Sequence, residues 1–138
     1  MPRSLLISTA ITVFSFIAYW LVTALYAVGW LDIPADWLYK DYHDARAIAW
    51  NWSFFPLDML ASGMGLWSIA AARAGRPNWP VLSAIAMTLT STAGGMAIVY
   101  WTLLREFDLQ WFLPNLVLFA WPLFDLAGLI SRKARGGD

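Results

Sequence analysis

Between Arg3 and Asp32 the chain carries no charged residue. As a helix rising 1.5 Å per residue, the apolar run 5–31 extends about 40 Å, enough to cross a bilayer with some tilt. A cleaved secretory signal has a shorter apolar core and a small-residue cleavage site, so the run reads as a first transmembrane helix. Three more apolar runs follow. Residues 54–72 end at Arg73, residues 80–104 contain no charge, and residues 111–130 are interrupted by Pro114, Pro122 and Asp125. Gly75 and Pro77 stop one helix before the next begins, and residues 105–108 form a tight polar connection. The fold class expected is all-α: an integral membrane four-helix bundle, up-down, in a single transmembrane domain over residues 1–138. Composition agrees. The chain is 60% hydrophobic and 13% charged, with mean hydropathy +0.57, whereas a soluble domain is about 45–50% apolar and about 25% charged.

Composition also excludes functions. The formal net charge is zero and no basic stripe is present to meet phosphates, so no nucleic-acid partner is expected. There is no Cys, which removes thiol nucleophiles, thiolate metal sites and disulfide exchange. The one His, His43, cannot build a bis-histidine haem within one chain. Asp41, His43 and Asp44 carry ligating atoms, but their spacing is ordinary for a solvated interfacial loop. No metal and no cofactor are expected.

Charge asymmetry orients the bundle. Four spans put both termini on one side, with Arg3, Arg73, Arg76, Arg132, Lys133 and Arg135 against Asp138. The other side has Lys40, Arg46 and Arg105 against Asp32, Asp36, Asp41, Asp44, Glu106 and Asp108. The excess of Lys and Arg faces the cytoplasm, so both termini are expected there, in a cell membrane. Residues 32–53 form the extracytoplasmic loop. Their interleaved Trp and Tyr predict that the loop lies on the membrane interface, with a short helix near 44–50. The basic tail 131–138 is expected to fray.

Helical spacing marks a small or polar stripe on each span: Ser8, Thr12, Ser15, Tyr19 and Tyr26; Asp58, Ser62 and Gly65; Ala84, Thr88, Ser91, Gly95, Ile98 and Thr102; Trp111, Asn115, Leu118, Pro122 and Asp125. Such stripes point inward, and close helix packing explains most of them. Asp58 and Asn115 ask for more. Both lie about one turn inside the outer boundary, the depth that Tyr26, Tyr100 and Trp101 reach from the other helices. The ligand-binding set expected is therefore Asp58, Asn115, Tyr26, Tyr100, Trp101, Trp111, Trp52, Asn51 and Tyr19, an outward-opening aromatic pocket for a small lipophilic or cationic molecule. Asp58 in the first turn of a helix fits a capping role equally well. Asp125, deeper along the fourth span, reads as a structural acid near Arg132 or Arg73. Trp20 and Trp121 fall mid-span, where an interfacial belt does not explain them, and suit pocket walls or core packing.

The segment from Tyr42-His43 through Trp50-Asn51-Trp52-Ser53-Phe54-Phe55-Pro56-Leu57-Asp58, with a Gly-containing third span, Phe107-Asp108 and Asn115 beyond it, resembles the YvaD-like family of small bacterial membrane proteins. That resemblance implies four membrane helices and carries over no activity and no catalytic residue. A looser architectural similarity is to sterol-isomerase and sigma-2-receptor-like proteins and to the tryptophan-rich sensory proteins. The paired acids of those isomerases are not cleanly matched, unless the long loop brings Asp41 or Asp44 to Asp58, so the likeness is one of fold.

Three functions stay open from the residues. The first is binding or transport of a small lipophilic or cationic ligand at Asp58. The second is an isomerase-like enzyme acting on a lipophilic substrate, which needs a second titrating group. The third is an accessory or structural subunit without a ligand. The partners expected are membrane lipids, such a ligand and, for a transporter of only four helices, a further copy of the chain.

Overall fold

The helix boundaries fall where the backbone loses a donor or turns left-handed. A computed structural model describes residues 1–134 and 136 of the chain. Helix α1 is Arg3–Ala27, and a 3-10 turn follows at Ala35–Trp37. Then come α2, Ala45–Ser53; α3, Phe55–Arg73; α4, Trp79–Leu104; and α5, Leu109–Ala134. Helix α1 stops short of residue 31 because Gly29 adopts φ +75° and the Trp30 amide folds back to the Leu25 carbonyl. Gly75, at φ +66°, ends α3 the same way, with the Arg76 amide returning to Ala71. Arg105 takes the left-handed conformation beyond α4, φ 59°, and turns the chain sharply into α5.

The expected loop 32–53 is partly helical. Asp44 caps α2, its side chain accepting from the Arg46 amide at 2.7 Å. Pro56 then separates α2 from α3: it has no N–H for the Trp52 carbonyl, so the ladder cannot run through. Helix α5 continues through both Pro114 and Pro122. Pro122 has no N–H for the Leu118 carbonyl, and one residue on, Ser91 of α4 donates to the Phe119 carbonyl at 2.9 Å. Of the expected frayed tail, residues 135, 137 and 138 lie outside the described residues.

Four helical stretches are long and apolar enough to cross a membrane: Arg3–Ala27, Ala45–Arg73, Trp79–Leu104 and Leu109–Arg132. Their outward faces carry large apolar side chains such as Ile11, Phe14, Leu60, Val99 and Phe124. The inward faces are rich in hydroxyls and small residues: Thr9, Thr12, Thr23, Ser62, Ser68, Ser83, Thr90 and Ser91 are all buried. That inside-out distribution suits lipid surroundings, where packing rather than water exclusion joins helices.

Helix α4 is central, packing on α3 and on α5, while α1 packs on α3. Glycines set the two closest approaches. A Cβ at Gly94 would lie 2.5 Å from the Phe119 amide nitrogen and 2.7 Å from the Asn115 carbonyl oxygen, so the α4 and α5 backbones nearly touch. A Cβ at Gly65 would meet Val13 at 2.8 Å and Thr9 at 3.2 Å on α1.

The expected α4 stripe is displaced in part. Thr88 and Thr102 of α4 are exposed rather than inward, each donating to the carbonyl four residues earlier. A hydroxyl satisfied by its own helix can face lipid without a partner elsewhere. On α1 the buried face runs Leu5, Thr9, Thr12, Val13, Phe16, Trp20 and Thr23, while Ser15 opens into an interior cavity.

Candidate functional site: a carboxylate-floored aromatic cavity

Helix α3 points Asp58 inward because Ser62 and Gly65, one and two turns on, share its face against the other helices. Its carboxylate is 6% exposed. It is not a helix cap: the backbone at the start of α3 has no side-chain cap, and Asp58 Oδ2 instead accepts from the Trp20 indole Nε1 at 2.9 Å. The other oxygen, Oδ1, is buried and has no hydrogen-bond partner among the described residues. Trp20 itself is 2% exposed, held by Tyr19, Trp52 and Phe55 with ring centroids at 5.1, 5.3 and 5.2 Å. One residue expected near mid-span thus turns out to hold the acid.

Above Asp58 lies a cavity of about 270 Å³. Helix α1 contributes Phe16 and Tyr19, α2 Trp50 and Asn51, α4 Tyr100 and Trp101, and α5 Trp111, Pro114 and Asn115. The loop before α2 closes one end with Leu38, Tyr39 and Lys40. Tyr19 links loop to helix: its hydroxyl is 2.7 Å from Asn51 Oδ1 and 3.2 Å from the Leu38 carbonyl. The Asn51 amide nitrogen is buried without a partner among the described residues. Asn115 spends its own amide on the Trp111 carbonyl, 2.7 Å away, one turn back.

Seven of the nine residues expected from the sequence therefore share one cavity: Asp58, Asn115, Tyr100, Trp101, Trp111, Asn51 and Tyr19. The other two are corrections. Tyr26 sits two turns beyond Tyr19 on the same face of α1, about 10 Å too high. Trp52 is rotated about 100° from Asn51 on α2 and packs behind Trp20 instead. Missed by sequence reasoning were Phe16, Leu38 and Lys40. Leu38, 4% exposed, had a signal: an aliphatic residue inside a polar stretch.

Lys40 brings a positive charge to the cavity wall, but Glu106 neutralises it at 2.6 Å, the one ion pair among the described residues. That hydrogen bond holds the ammonium above its ordinary pKa of 10.5. Burial pushes the Tyr39 phenol up as well. Asp125 has no such cationic partner among the described residues. Ser8 donates to its Oδ2 at 3.0 Å, so a hydroxyl of α1 takes the place expected for Arg132 or Arg73. Among the described residues no three His, Cys, Asp or Glu side chains converge as metal ligands.

The model of a family of unknown function, DUF5360, matches residues 5–136. The chain belongs to that family. It is 39% identical over 125 residues to the uncharacterized protein YvaD of Bacillus subtilis strain 168, covering 91% of this chain and 90% of the relative. No solved structure matches it. Membership agrees with the resemblance drawn from the Trp50–Asp58 segment, and the four apolar helices suggest a multi-pass membrane protein.

Proposed function

We propose that the protein sits in a cell membrane as an up-down bundle with both termini cytoplasmic, and that it binds or carries a small lipophilic cation in the cavity above Asp58. The observation that carries this reading is the free Asp58 Oδ1, a buried acceptor without a partner among the described residues, at the floor of an aromatic chamber. A buried acceptor left unmade costs about 1–3 kcal/mol, so a protonated amine arriving there recovers that cost. Tyr100, Trp101 and Trp111 supply faces for cation–π attraction. The Asn51 amide offers a second polar contact. With Lys40 neutralised by Glu106, Asp58 sets the sign of the ligand.

The cavity holds roughly nine water volumes, room for a ligand of about nine heavy atoms. Octylamine is a fitting probe. In lipid nanodiscs, Asp58→Asn keeps an oxygen for Trp20 but loses the charge, and should weaken octylamine binding roughly 10- to 150-fold. The melting temperature should stay close to the parent's. Equal affinity in the two proteins would end the reading. An isomerase-like enzyme is favoured less, because the only other titrating side chains on the cavity wall, among the described residues, are Lys40 and the phenols of Tyr19, Tyr39 and Tyr100.

A further inference from the structure

A second hollow lies on the membrane-facing side of α4 and α5, about 700 Å³ and almost wholly apolar. Gly95, Met96, Val99 and Leu103 line it on α4, with Phe119 and Leu123 on α5. Trp50 and Tyr100 line this groove and also line the Asp58 cavity. The partition between chamber and bilayer is thus a pair of stacked rings, centroids 4.7 Å apart and 19° from parallel. Neither ring's polar atom is hydrogen-bonded among the described residues, and α2, which carries Trp50, buries no residue at all. A wall made of one stacking contact on a lightly seated helix parts more readily than a close helix seam.

Resting on the reading of Asp58 given above, we infer that the ligand is a single-chain amphiphilic amine that enters from within the membrane. Its ammonium group passes between Trp50 and Tyr100 to Asp58, and its tail stays in the groove along Gly95 and Phe119. Continuity decides the occupant. A molecule confined to the chamber would leave the adjoining groove to bulk lipid, and an ordinary two-chain phospholipid would bring its phosphate toward the Asp58 carboxylate, a like charge. Gly95 lets the Phe119 ring lie against α4, since a Cβ there would press it at 3.0 Å, and the ring gives the tail an apolar floor. A primary amine stays protonated near neutral pH, like a lysine side chain.

The test uses dodecylamine carrying a diazirine near the end of its tail, photolysed with the full chain in nanodiscs and mapped by mass spectrometry. Octylamine binding is measured beside it. Labels are expected on Met96, Val99, Leu103 or Leu123, and Asp58→Asn should abolish them. Val99 is 57% exposed and tolerates a larger ring, so Val99→Trp should fold, fill the groove and remove the labels. Groove labels indifferent to Asp58→Asn would mean an ordinary lipid tail and would overturn the inference. Asp58-dependent octylamine binding with the dodecylamine tail labelling residues 38–40 would place the entrance in the loop, overturning the inference while the Asp58 reading stands. If neither amine shows any dependence on Asp58, that reading falls and this inference with it.

Discussion

Trp20 is the side chain on which Asp58 depends. Its indole gives the only hydrogen bond the carboxylate receives from the described residues. Trp20→Phe preserves most of the ring packing and deletes that donor, leaving both oxygens of a buried acid unpaired. Thermal unfolding should show a loss of about 1–3 kcal/mol, larger than the loss from Asp58→Asn. Asp125 makes a useful contrast. Asp125→Ala removes one hydroxyl contact, with Ser8, and should cost about 0.5–1.5 kcal/mol while octylamine binding is unchanged. At this scale the sequence was informative where depth could be counted from a boundary. Asp58, Asn115 and Tyr100 were placed by counting turns, and all three line the one cavity. It was uninformative about azimuth on a short helix: nothing in Trp50-Asn51-Trp52 says that Asn51 turns inward and Trp52 behind Trp20. The partner of Asp125 was illegible too, because a Ser 117 residues away leaves no pattern.

Among the elements, α4 and α5 meet most closely, and two glycines separate helix crossing from helix propensity. Gly94→Ala pushes a methyl group into the α5 backbone, where no side chain can yield, and should destabilise the protein by about 1–3 kcal/mol or more. Gly63 has nothing within 4 Å of a Cβ, so Gly63→Ala should stabilise α3 by roughly 0.5–1 kcal/mol. Unfolding in micelles reads both. Both glycines look alike in the chain, since spacing reports a face only when the helix phase is known. The same uncertainty moved the α4 stripe, where Thr88 and Thr102 bond to their own helix. The loop adds a pH-dependent tie. Because Glu106 raises the pKa of Lys40 in the folded protein, the tie contributes fully below pH 10.5 and fades as pH climbs through the raised value. The melting-temperature difference between the protein and Glu106→Gln should stay level up to about pH 10 and close above it. The difference should be small, as both side chains are about one-third exposed.

For the whole molecule, the run of uncharged residues and the turns between them were enough to foresee four spans, because a bilayer leaves a backbone few choices. Orientation rests on loop charge alone. With no native Cys, single cysteines at Asp36 and Arg76 should be labelled by a membrane-impermeant maleimide from opposite sides of sealed vesicles. Labelling from one side would refute the topology. The bond between Trp20 and Asp58 has a consequence in time as well as in space. The donor is synthesised 38 residues before the acceptor, at about 5–20 residues per second a matter of seconds. When α3 leaves the ribosome, α1 is already waiting with its indole. The costliest side chain in that segment is therefore met on arrival, and α5, made last, only has to put the outer wall on a chamber whose floor is finished.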